Sequence, residues 1–352
     1  MPRGASEQDI FEHDSGDTRA RAGDPLPPVL VTGSSGFIGS RLVERLRARG
    51  HVVRGIDLRA TTPDERGDVR DLAALQAAMP EGGHVYHLAS VVGVRNVLAR
   101  PDETWSTIVT GTQQVCRVAY ERGARVVFAS SSEVYGEGLG RRLREDMALP
   151  RSHGLWPRAS YPEAKLCGEA TLEGFGARGG DGRIARLFNV SGPGQSPQAG
   201  MVLPTFVAAA LRRQPLPVID DGSDLRSFQH VDDAVDGLVA LMGEDQAAGR
   251  IVNIGGHETL AILDLARLVA EVLGVPQSVQ HVSSEDHYGQ ASSRCRARVP
   301  DTTLARALLG HEARRSLATI IEDLARAMQR HGASPSKLEG TRCAELPAAH
   351  DH

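Results

Sequence analysis

Lysine is nearly absent from this chain of 352 residues. Arginine carries almost all of the positive charge, and lysine occurs only at Lys165 and Lys337. Ammonium and guanidinium groups are not interchangeable in a tight site, so a rare lysine in such a sequence is a candidate for a specific role. Lys337 lies in a polar tail, where a solvated lysine is ordinary, and Lys165 is therefore the one to follow.

Cysteine is also scarce, and its pattern argues against two kinds of site. The four cysteines are scattered without a CxxC spacing, at Cys116, Cys167, Cys295 and Cys343. Zinc sites and disulfide frameworks need clustered or regularly spaced cysteines. We therefore expect free thiols and no metal site.

The chain also lacks long apolar segments and a basic net charge, which limits the kinds of partner it can bind. No stretch approaches the roughly 20 apolar residues of a membrane-spanning helix, and the first residues lack the apolar core of a secretion signal. The net charge of -4 and the pI near 6.4 give no basic field that would follow a nucleic-acid backbone. These features predict a cytoplasmic protein with neither a membrane nor a nucleic-acid partner.

The composition divides the chain into four parts. Residues 1–27 are polar and aperiodic and predict a disordered leader, and residues 332–352 form a polar tail. Residues 28–188 alternate short apolar runs with helical spacing, which predicts a doubly wound α/β domain with a parallel sheet. Residues 189–331 have a looser pattern, which predicts a smaller C-terminal α/β substrate lobe with some chain returning to the sheet.

Apolar runs and helical periodicity give the expected elements of both parts. We predict strands at "PVLVTG", "HVVRGID", 84–89, 124–129 and 182–188. We predict helices at 102–122, 161–176, 201–213, 231–242 and 260–273. In such a fold the ligand binds beyond the carboxyl ends of the strands.

A glycine-rich turn follows the first predicted strand. In "VLVTGSSGFIGSRLVERL", Gly33, Gly36 and Gly39 stand between that strand and the first helix. Glycine allows a tight turn and lets the backbone approach a pyrophosphate, whose charge the free N–H groups of a helix N-terminus favour. This placement predicts a Rossmann-type dinucleotide site. The other loop residues expected at the cofactor are Ser35, Phe37 and Ile38.

An acidic residue ends the second predicted strand. Asp57, in "VVRGID", can accept hydrogen bonds from both ribose hydroxyls, and its charge favours NAD over a cofactor with a 2′-phosphate. Arg59 weakens this preference slightly, since a nearby arginine can serve that phosphate. If a third strand ends at "GDVRD", Asp68 and Val69 lie near the adenine. We therefore predict NAD as the cofactor.

A tyrosine and the rare lysine stand four residues apart in "SYPEAKLCGEA". Tyr161 and Lys165 begin a predicted helix and so share one face. A phenol keeps its proton to about pH 10, and a neighbouring ammonium favours the phenolate. Tyr161 can therefore take a proton from a sugar hydroxyl as hydride leaves the carbon, while Lys165 supports it and donates to the nicotinamide ribose.

Taken together, the motifs resemble those of the extended short-chain dehydrogenases/reductases, in particular the nucleotide-sugar epimerase and dehydratase group. The resemblance covers residues 29–330 and rests on "TGSSGFIGS", "YHLAS", "SSSEVYGE", "YPEAK", "RLFNVSGPGQ" and "LRSFQHVDDAVDGLVALM". It implies that bound NAD oxidises the C4 hydroxyl of a nucleotide-linked sugar to a ketone and later returns the hydride. It also implies a homodimer, with the helices at 102–122 and 161–176 as the interface.

The resemblance assigns roles to particular residues. Ser131 would hydrogen-bond the C4 oxygen beside Tyr161. Asn189 and Arg226 would approach the diphosphate or the sugar, although a strand-end cap and a surface salt bridge are the alternative interpretations. The "GVR" at 93–95 is similar to the uronate 4-epimerases and would make Arg95 a sugar contact. The added cofactor contacts are Leu88, Ala89 and Ser90 of "YHLAS".

Three positions depart from the pattern of the group. Ile108 stands where an asparagine is common, three residues before Gly-Thr in the long helix. Ala164 replaces the usual serine before the lysine. Gly194 replaces a common arginine after "GP", which counts against an acidic substrate. The tyrosine–lysine pair is intact, and the departures bear on the finer geometry of the site.

The reaction depends on the fate of the C4 ketone, which can take hydride on its other face, lose a C6 carboxylate or lose water. Enzymes of the group that expel water use an Asp-Glu pair before "VYG", whereas this chain has Ser132 and Glu133, so the acid is missing. The combination of Ser132, Glu133 and Arg226 is similar to the UDP-glucuronate decarboxylases. Ser132 and Glu133 therefore count among the catalytic candidates. We favour a UDP-glucose or UDP-glucuronate 4-epimerase, with UDP-glucuronate decarboxylation as the alternative. A dehydratase and a non-catalytic NAD-binding protein rank below both.

Overall fold

The computed structural model describes residues 26–138, 140–150, 154, 156–288 and 296–332. The predicted leader and tail fall almost wholly outside the described residues, as do Cys295, Lys337 and Cys343. Cys116 and Cys167 are described, and both are free thiols.

Strands and helices alternate through the first half of the chain. In order, they are β1 (Val29–Thr32), α1 (Phe37–Ala48), β2 (Val53–Ile56), α2 (Leu72–Ala78), β3 (His84–His87), α3 (Val94–Ala99), α4 (Pro101–Arg122), β4 (Arg125–Ser131), α5 (Ser160–Ala177) and β5 (Gly182–Leu187). A short 3₁₀ turn, Ser132–Tyr135, follows β4 directly. This is the alternation that the sequence predicts for a doubly wound fold.

Shorter strands and further helices make up the second half. In order, they are β6 (Val190–Ser191), α6 (Val202–Leu211), β7 (Leu216–Ile219), β8 (Leu225–Ser227), β9 (Gln229–His230), α7 (Val231–Gly243), β10 (Ile251–Ile254), β11 (Thr259–Ala261), α8 (Ile262–Leu273), β12 (Val279–Val282), α9 (Ser284–Tyr288), β13 (Ala297–Arg298), α10 (Thr303–Leu309) and α11 (Leu317–Gly332). Along the described ranges, none of these helices combines the length and apolarity needed to cross a membrane.

A six-stranded sheet forms the centre of the molecule. Its strand order is β10-β5-β4-β3-β1-β2, and every neighbouring pair is parallel. The order reverses direction between β1 and β3, which is where doubly wound sheets bind ligands at the carboxyl ends of their strands. β10 comes from the second half of the chain, so the later segment contributes an edge strand to this sheet.

Local sequence signals explain where several helices begin and end. Asp71 caps α2, because its carboxylate accepts from the backbone N–H groups of Ala73 and Ala74. α4 has Pro101 in its first turn and stops at Gly123, whose left-handed backbone (φ 59°) closes the helix. These ends define the bounds of α4, the long helix that packs against α5.

Helices cover both faces of the sheet, so side chains on both faces of its inner strands are buried. On β4, Val126 and Phe128 join a core with residues of α4 and α5, such as Val115 and Leu172. Val127, between them in sequence, faces the opposite core, built with α1 and α7. Alternate side chains of one strand therefore hold helices on opposite sides.

A third core and two small sheets form the region beside the main sheet. Phe206 of α6, Leu265 of α8 and Ile320 of α11 are fully buried together. β8 lies between β11 and β13, and β7 pairs with β12. In the parallel pairing of β13 with β8, Arg298 lies opposite Arg226.

One condition of the sequence analysis is not met, and one predicted helix boundary differs from the structure. No strand ends at Asp68 and Val69; the segment after β2 makes one isolated bridge, between Asp57 and Arg66, and the third strand of the sheet is His84–His87. The helix predicted at 260–273 begins at Ile262, because Thr259–Ala261 pairs with β8 as a strand. In both places the partner strand, which the sequence alone does not reveal, decides the structure.

Candidate active site

Close backbone approach explains the glycines of the turn between β1 and α1. Gly33 has a φ of +72°, and a Cβ built there would lie 2.9 Å from the Ala89 nitrogen. A Cβ at Gly39 would lie 2.0 Å from the Gly33 carbonyl oxygen. A side chain at either position would push α1 or the segment after β3 away, so the tight turn at the helix N-terminus requires glycine.

Asp57 is placed at the end of β2, next to this turn. Its carboxylate accepts hydrogen bonds from the backbone N–H groups of Ser35, at 3.1 Å, and Arg59, at 2.8 Å. The Arg59 side chain is 74% exposed, and its Nε lies 3.7 Å from Asp57 Oδ1. Two backbone donors therefore hold the carboxylate at the position where a ribose is expected.

The residues of the turn fit a bound dinucleotide. The Ser34 hydroxyl is buried and makes no hydrogen bond within the described structure. Ser35 lies in the turn, and Phe37 and Ile38 open α1 directly after it. A glycine cradle, a helix N-terminus and an unsatisfied hydroxyl together suit a pyrophosphate group.

A histidine that sequence reasoning did not single out anchors the segment after β3. His87 is fully buried, with Nδ1 2.8 Å from Thr32 Oγ1 and Nε2 3.1 Å from Thr112 Oγ1. The Thr112 hydroxyl donates to the Ile108 carbonyl, and the Ala89 N–H donates to Thr32 Oγ1. Burial lowers the pKa of His87 to about 3, and the charge of Lys165 acts in the same direction. A neutral imidazole thus joins β1, β3 and α4 just before Leu88, Ala89 and Ser90.

Asp68 and Val69 have local partners. The Arg70 guanidinium binds Asp68 with distances of 2.6 to 3.0 Å, and this interaction lowers the pKa of Asp68. Val69 is buried in the core on the α4 side of the sheet. No strand ends at these two residues, and their contact with the adenine stays a prediction.

Lys165 is buried beneath the end of β4. Its side chain is 2% exposed, and Nζ donates to the Ala129 carbonyl at 2.6 Å. The ammonium lies 4.8 Å from the centre of the Phe128 ring and 5.7 Å from that of Tyr161. Burial lowers the pKa of Lys165 to about 7, and the Glu169 carboxylate opposes the shift.

Tyr161 and Ser131 are brought together above this lysine. Ser131 ends β4, accepts from the Glu133 N–H at 3.2 Å and acts on Tyr161 in the direction of a lower pKa. Burial raises the pKa of Tyr161 to about 12, with the Glu133 carboxylate acting in the same direction and the Ser131 hydrogen bond opposing. Tyr161 therefore keeps its proton at neutral pH. It can take a proton from the substrate only when positive charge beside it favours the phenolate.

Glu133 lies in a group of arginines next to Tyr161. Arg158 Nη2 donates to its carboxylate at 2.6 Å, and Arg298 Nη1 lies 3.6 Å away. Burial raises the pKa of Glu133, but Arg158, Arg298 and the more distant Arg226 outweigh it, so the pKa lies below its ordinary value. Glu133 is consequently a carboxylate and cannot act as a general acid near neutral pH. Ser132, beside it, is 3% exposed.

The predicted substrate residues fall into two regions. Arg226 is 15% exposed and pairs with Asp224 at 3.3 Å. Asn189 donates to the Ser227 carbonyl at 2.7 Å and so ties the end of β5 to β8. Arg95, in α3, packs against Gly200, where a Cβ would lie 3.1 Å from its side chain.

The three departures from the group pattern have structural counterparts. Ile108 and Ala164 are fully buried in the core between the sheet, α4 and α5. Gly194, at φ +92°, lies against Phe37 of the first helix. Apolar packing therefore occupies both Ile108 and Ala164, the two positions at which the group commonly has polar side chains.

Sequence reasoning did not single out three groups in this region, Arg158, Arg298 and Glu169. Arg298 reaches the site through the pairing of β13 with β8, for which the sequence carries no local signal. Glu169 stands four residues after Lys165, on the same face of α5, and is 4% exposed. That spacing was the one available signal for Glu169.

A glycine-rich turn at a helix N-terminus, a carboxylate at the end of β2 and a buried tyrosine–lysine pair are the features of a dinucleotide-dependent redox site on a doubly wound fold. The chain matches the model of the NAD dependent epimerase/dehydratase family over residues 29–255. This match covers more than half of the chain, so the protein belongs to that family and is an NAD-dependent enzyme.

Characterised relatives cover most of the chain. UDP-N-acetyl-alpha-D-glucosaminuronate decarboxylase of Bacillus cytotoxicus is 32% identical over 78% of this chain and 89% of its own length. UDP-glucuronic acid decarboxylase 1 of Xenopus tropicalis is 31% identical over 81% of this chain and 68% of its own length.

Solved structures share the fold over nearly their full length. MoeE5, in complex with UDP-glucuronic acid and NAD, is 32% identical with a TM-score of 0.73. UDP-glucuronic acid 4-epimerase from Bacillus cereus, in complex with the same two ligands, is 25% identical with a TM-score of 0.73. Each comparison covers 86% of this chain and 99% of the solved one.

Proposed function

We propose that this enzyme oxidises the C4 hydroxyl of a UDP-linked hexuronate, with UDP-glucuronate as the reference substrate, and that the 4-keto acid then loses carbon dioxide. The observation that carries the proposal is the group of Arg158, Arg226 and Arg298 around Glu133, next to Tyr161. Arg158 and Arg298 approach the Glu133 carboxylate, and Arg226 pairs with Asp224, so guanidinium groups are concentrated beside Tyr161. A sugar carboxylate supplies the matching negative charge.

The residues at the end of β4 and the start of α5 supply the oxidation step. Ser131 and Tyr161 offer two hydroxyl groups to one sugar oxygen, and Tyr161 takes the proton of the C4 hydroxyl. Lys165, held by the Ala129 carbonyl, places positive charge beneath the tyrosine ring and favours its phenolate. NAD, when bound, supplies the hydride acceptor.

The charge of Glu133 favours loss of carbon dioxide from the keto acid. In that step the C5–C6 bond breaks, carbon dioxide leaves, and the electron pair forms an enolate whose oxygen is at C4. Negative charge therefore moves away from the region of Glu133 toward Tyr161 and Lys165. Because Glu133 is ionised, it repels the C6 carboxylate of the keto acid but not the neutral carbon dioxide that leaves. C5 then takes a proton, and the returned hydride reduces C4.

The relatives support this choice among the possible reactions. The two described above are decarboxylases of UDP-linked uronates, and MoeE5 was solved with UDP-glucuronic acid. Ser132 supports it as well, because a serine hydroxyl is no substitute for the aspartic acid that expels water.

C4 epimerisation, the reaction favoured by the sequence motifs, is the second candidate. Its support is the likeness to the Bacillus cereus UDP-glucuronic acid 4-epimerase and the "GVR" motif with Arg95. It uses the same C4 oxidation and the same residues up to the ketone. It differs in that the keto-sugar turns over and takes hydride on its other face.

The test is the product formed from UDP-glucuronate, with UDP-N-acetylglucosaminuronate as a second uronate and UDP-glucose as the neutral comparison. The purified enzyme is incubated with each, and products are identified by mass spectrometry and NMR. We expect the uronates to lose the mass of carbon dioxide and UDP-glucose to be a poor substrate. An isobaric product with an axial C4 hydroxyl would establish epimerisation instead.

Two further expectations remain proposals. We propose a homodimer that uses α4 and α5, and a cytoplasmic location. The helices in question, Pro101–Arg122 and Ser160–Ala177, pack against each other on one face of the sheet.

A further inference from the structure

Three ionisable residues follow one another at four-residue intervals along α5. Tyr161, Lys165 and Glu169 therefore share a face of the helix, one turn apart. Lys165 is 2% exposed and Glu169 is 4% exposed, so the second half of this row is buried. The oxidation step uses the first two residues and leaves Glu169 without a role.

Strand β4 contacts the second and third residues of this row. The Ala129 carbonyl accepts from Lys165, and the Ser130 hydroxyl donates to Glu169. Two neighbouring residues of the strand thus bind two successive turns of the helix. A shift of the Glu169 end along the strand would move the Lys165 end with it.

On its far side, Glu169 is held by an arginine of β5. Arg186 Nε lies 2.9 Å from Glu169 Oε1, and Nη2 lies 2.6 Å from Oε2. Both side chains of the pair are at most 5% exposed. Two parallel hydrogen bonds fix the carboxylate in place, in surroundings where a charge acts over a longer range than in water.

We propose that Glu169 is a positioning residue for Lys165. It provides the negative charge that keeps the buried side chain an ammonium, and through Ser130 it holds α5 against the end of β4. The role rests on C4 oxidation by Tyr161 and Lys165, and it applies whichever product is formed.

The other charged groups around Lys165 do not supply this effect. Tyr161 stands on the same helix and keeps its proton, and His87 on β3 is held neutral with a pKa of about 3. Arg186 on β5 lies beyond Glu169, and Glu133 lies beyond Tyr161 among its arginines. Burial lowers the pKa of Lys165 to about 7, and Glu169 is the group that acts against it.

The scarcity of lysine makes the charge of Lys165 directly measurable. A full-length protein labelled with ¹⁵N-lysine gives two Nζ signals, because the chain contains only Lys165 and Lys337, and Lys337→Arg identifies them. In the NAD-bound enzyme, we expect Glu169→Gln to lower the titration midpoint of Lys165 by roughly 1 to 3 pH units, the usual effect of one nearby opposite charge. Glu173→Gln, an exposed carboxylate on the same helix, is the matched control and should leave the midpoint unchanged.

A double variant separates this role from a merely structural one. Glu169→Gln alone leaves Arg186 buried without its partner and risks misfolding, whereas Glu169→Gln with Arg186→Met removes both charges. If Glu169 acts on Lys165, the titration midpoint of Lys165 in the double variant is as low as in Glu169→Gln. The pH above which kcat falls is then lowered by a similar amount. Glu169→Asp keeps a carboxylate and should restore the wild-type profile.

Particular outcomes would overturn the role. A wild-type Lys165 midpoint in the double variant would show that Glu169 only balances Arg186. A Lys165 titration midpoint that is as low in Glu169→Asp as in Glu169→Gln would contradict the positioning role equally. A wild-type enzyme that, supplied with NAD, leaves UDP-glucuronate unchanged would contradict the proposed function, while leaving the NMR titration of Lys165 interpretable.

Discussion

Glu133 is held between two arginines that reach it from different parts of the chain. Arg158 precedes α5 by two residues, and Arg298 comes from β13. Their charges keep Glu133 ionised, so its effect on a substrate is electrostatic, and a uronate carboxylate would compete with Glu133 for the same guanidinium groups. This competition makes Arg158 the residue that most directly tests the identity of the substrate.

Arg158→Gln should weaken binding of UDP-glucuronate but leave binding of UDP-glucose and UDP unchanged. A charge-assisted hydrogen bond contributes about 1.5–3 kcal/mol, so dissociation constants measured by calorimetry should rise by a factor of roughly 10–150 for the uronate. Arg267→Gln, an exposed arginine on α8, serves as the control. Equal weakening of all three ligands would assign Arg158 to the nucleotide or to folding.

The sequence was informative wherever the residues of the site are neighbours in the chain. Tyr161 and Lys165 follow from helical spacing, and Ser131 and Glu133 from their place at the end of an apolar strand. Arg298 was missed because its position depends on strand pairing between distant segments. The condition attached to Asp68, a strand that ends there, is not met, and its contact with the adenine stays a prediction.

At the scale of elements, the turn between β1 and α1 depends on backbone-to-backbone contact. The helix can begin immediately after the turn only because Gly39 has no side chain facing the Gly33 carbonyl. Regular alternation of apolar runs was enough to predict these elements. Their ends shift by a few residues where a cap or a partner strand intervenes, as at the start of α8.

Gly39→Ala should destabilise the protein and weaken NAD binding, because the new Cβ would lie 2.0 Å from the Gly33 carbonyl oxygen. Overpacking of this kind costs about 1–3 kcal/mol, which urea unfolding would measure, with NAD affinity followed by calorimetry. Gly174→Ala in α5 is the matched control, since no atom lies within 4 Å of its Cβ position. It should be neutral or stabilise by up to about 1 kcal/mol. An equally harmless Gly39→Ala would contradict the account of the turn.

At the scale of the whole molecule, buried groups join the sheet to its covering helices. His87 is the clearest case, because it bridges Thr32 of β1 and Thr112 of α4 while fully buried. The parallel sheet with helices on both faces was predicted from the sequence. These cross-layer hydrogen bonds were not, because they join residues that only the finished packing brings together.

The neutral state of His87 predicts a specific loss of stability in acid. Its pKa is about 3 in the folded protein and about 6.5 when unfolded, so the unfolded state binds the proton first as pH falls. The contribution is present above pH 6.5 and is lost between 6.5 and 3, at up to about 1.4 kcal/mol per pH unit. Urea unfolding from pH 7 to pH 5 should show a steeper decline for the wild type than for His87→Gln. Parallel curves would contradict a neutral buried His87.

The homodimer is a prediction at the scale of the whole molecule. A dimer through α4 and α5 should give twice the chain mass of 37.6 kDa by light scattering. The chain mass itself, at working concentration, would contradict it.

The central claim is that Tyr161, Lys165 and bound NAD oxidise C4 and that carbon dioxide leaves from the resulting keto acid. The most direct test is one NMR experiment in D₂O on UDP-glucuronate that carries ¹³C throughout its sugar and protium at C4, with Tyr161→Phe as the inactive control. The account predicts a pentose product that keeps its protium at C4, because the hydride is returned, and gains solvent deuterium at C5. Deuterium at C4 or a product that retains C6 would contradict it.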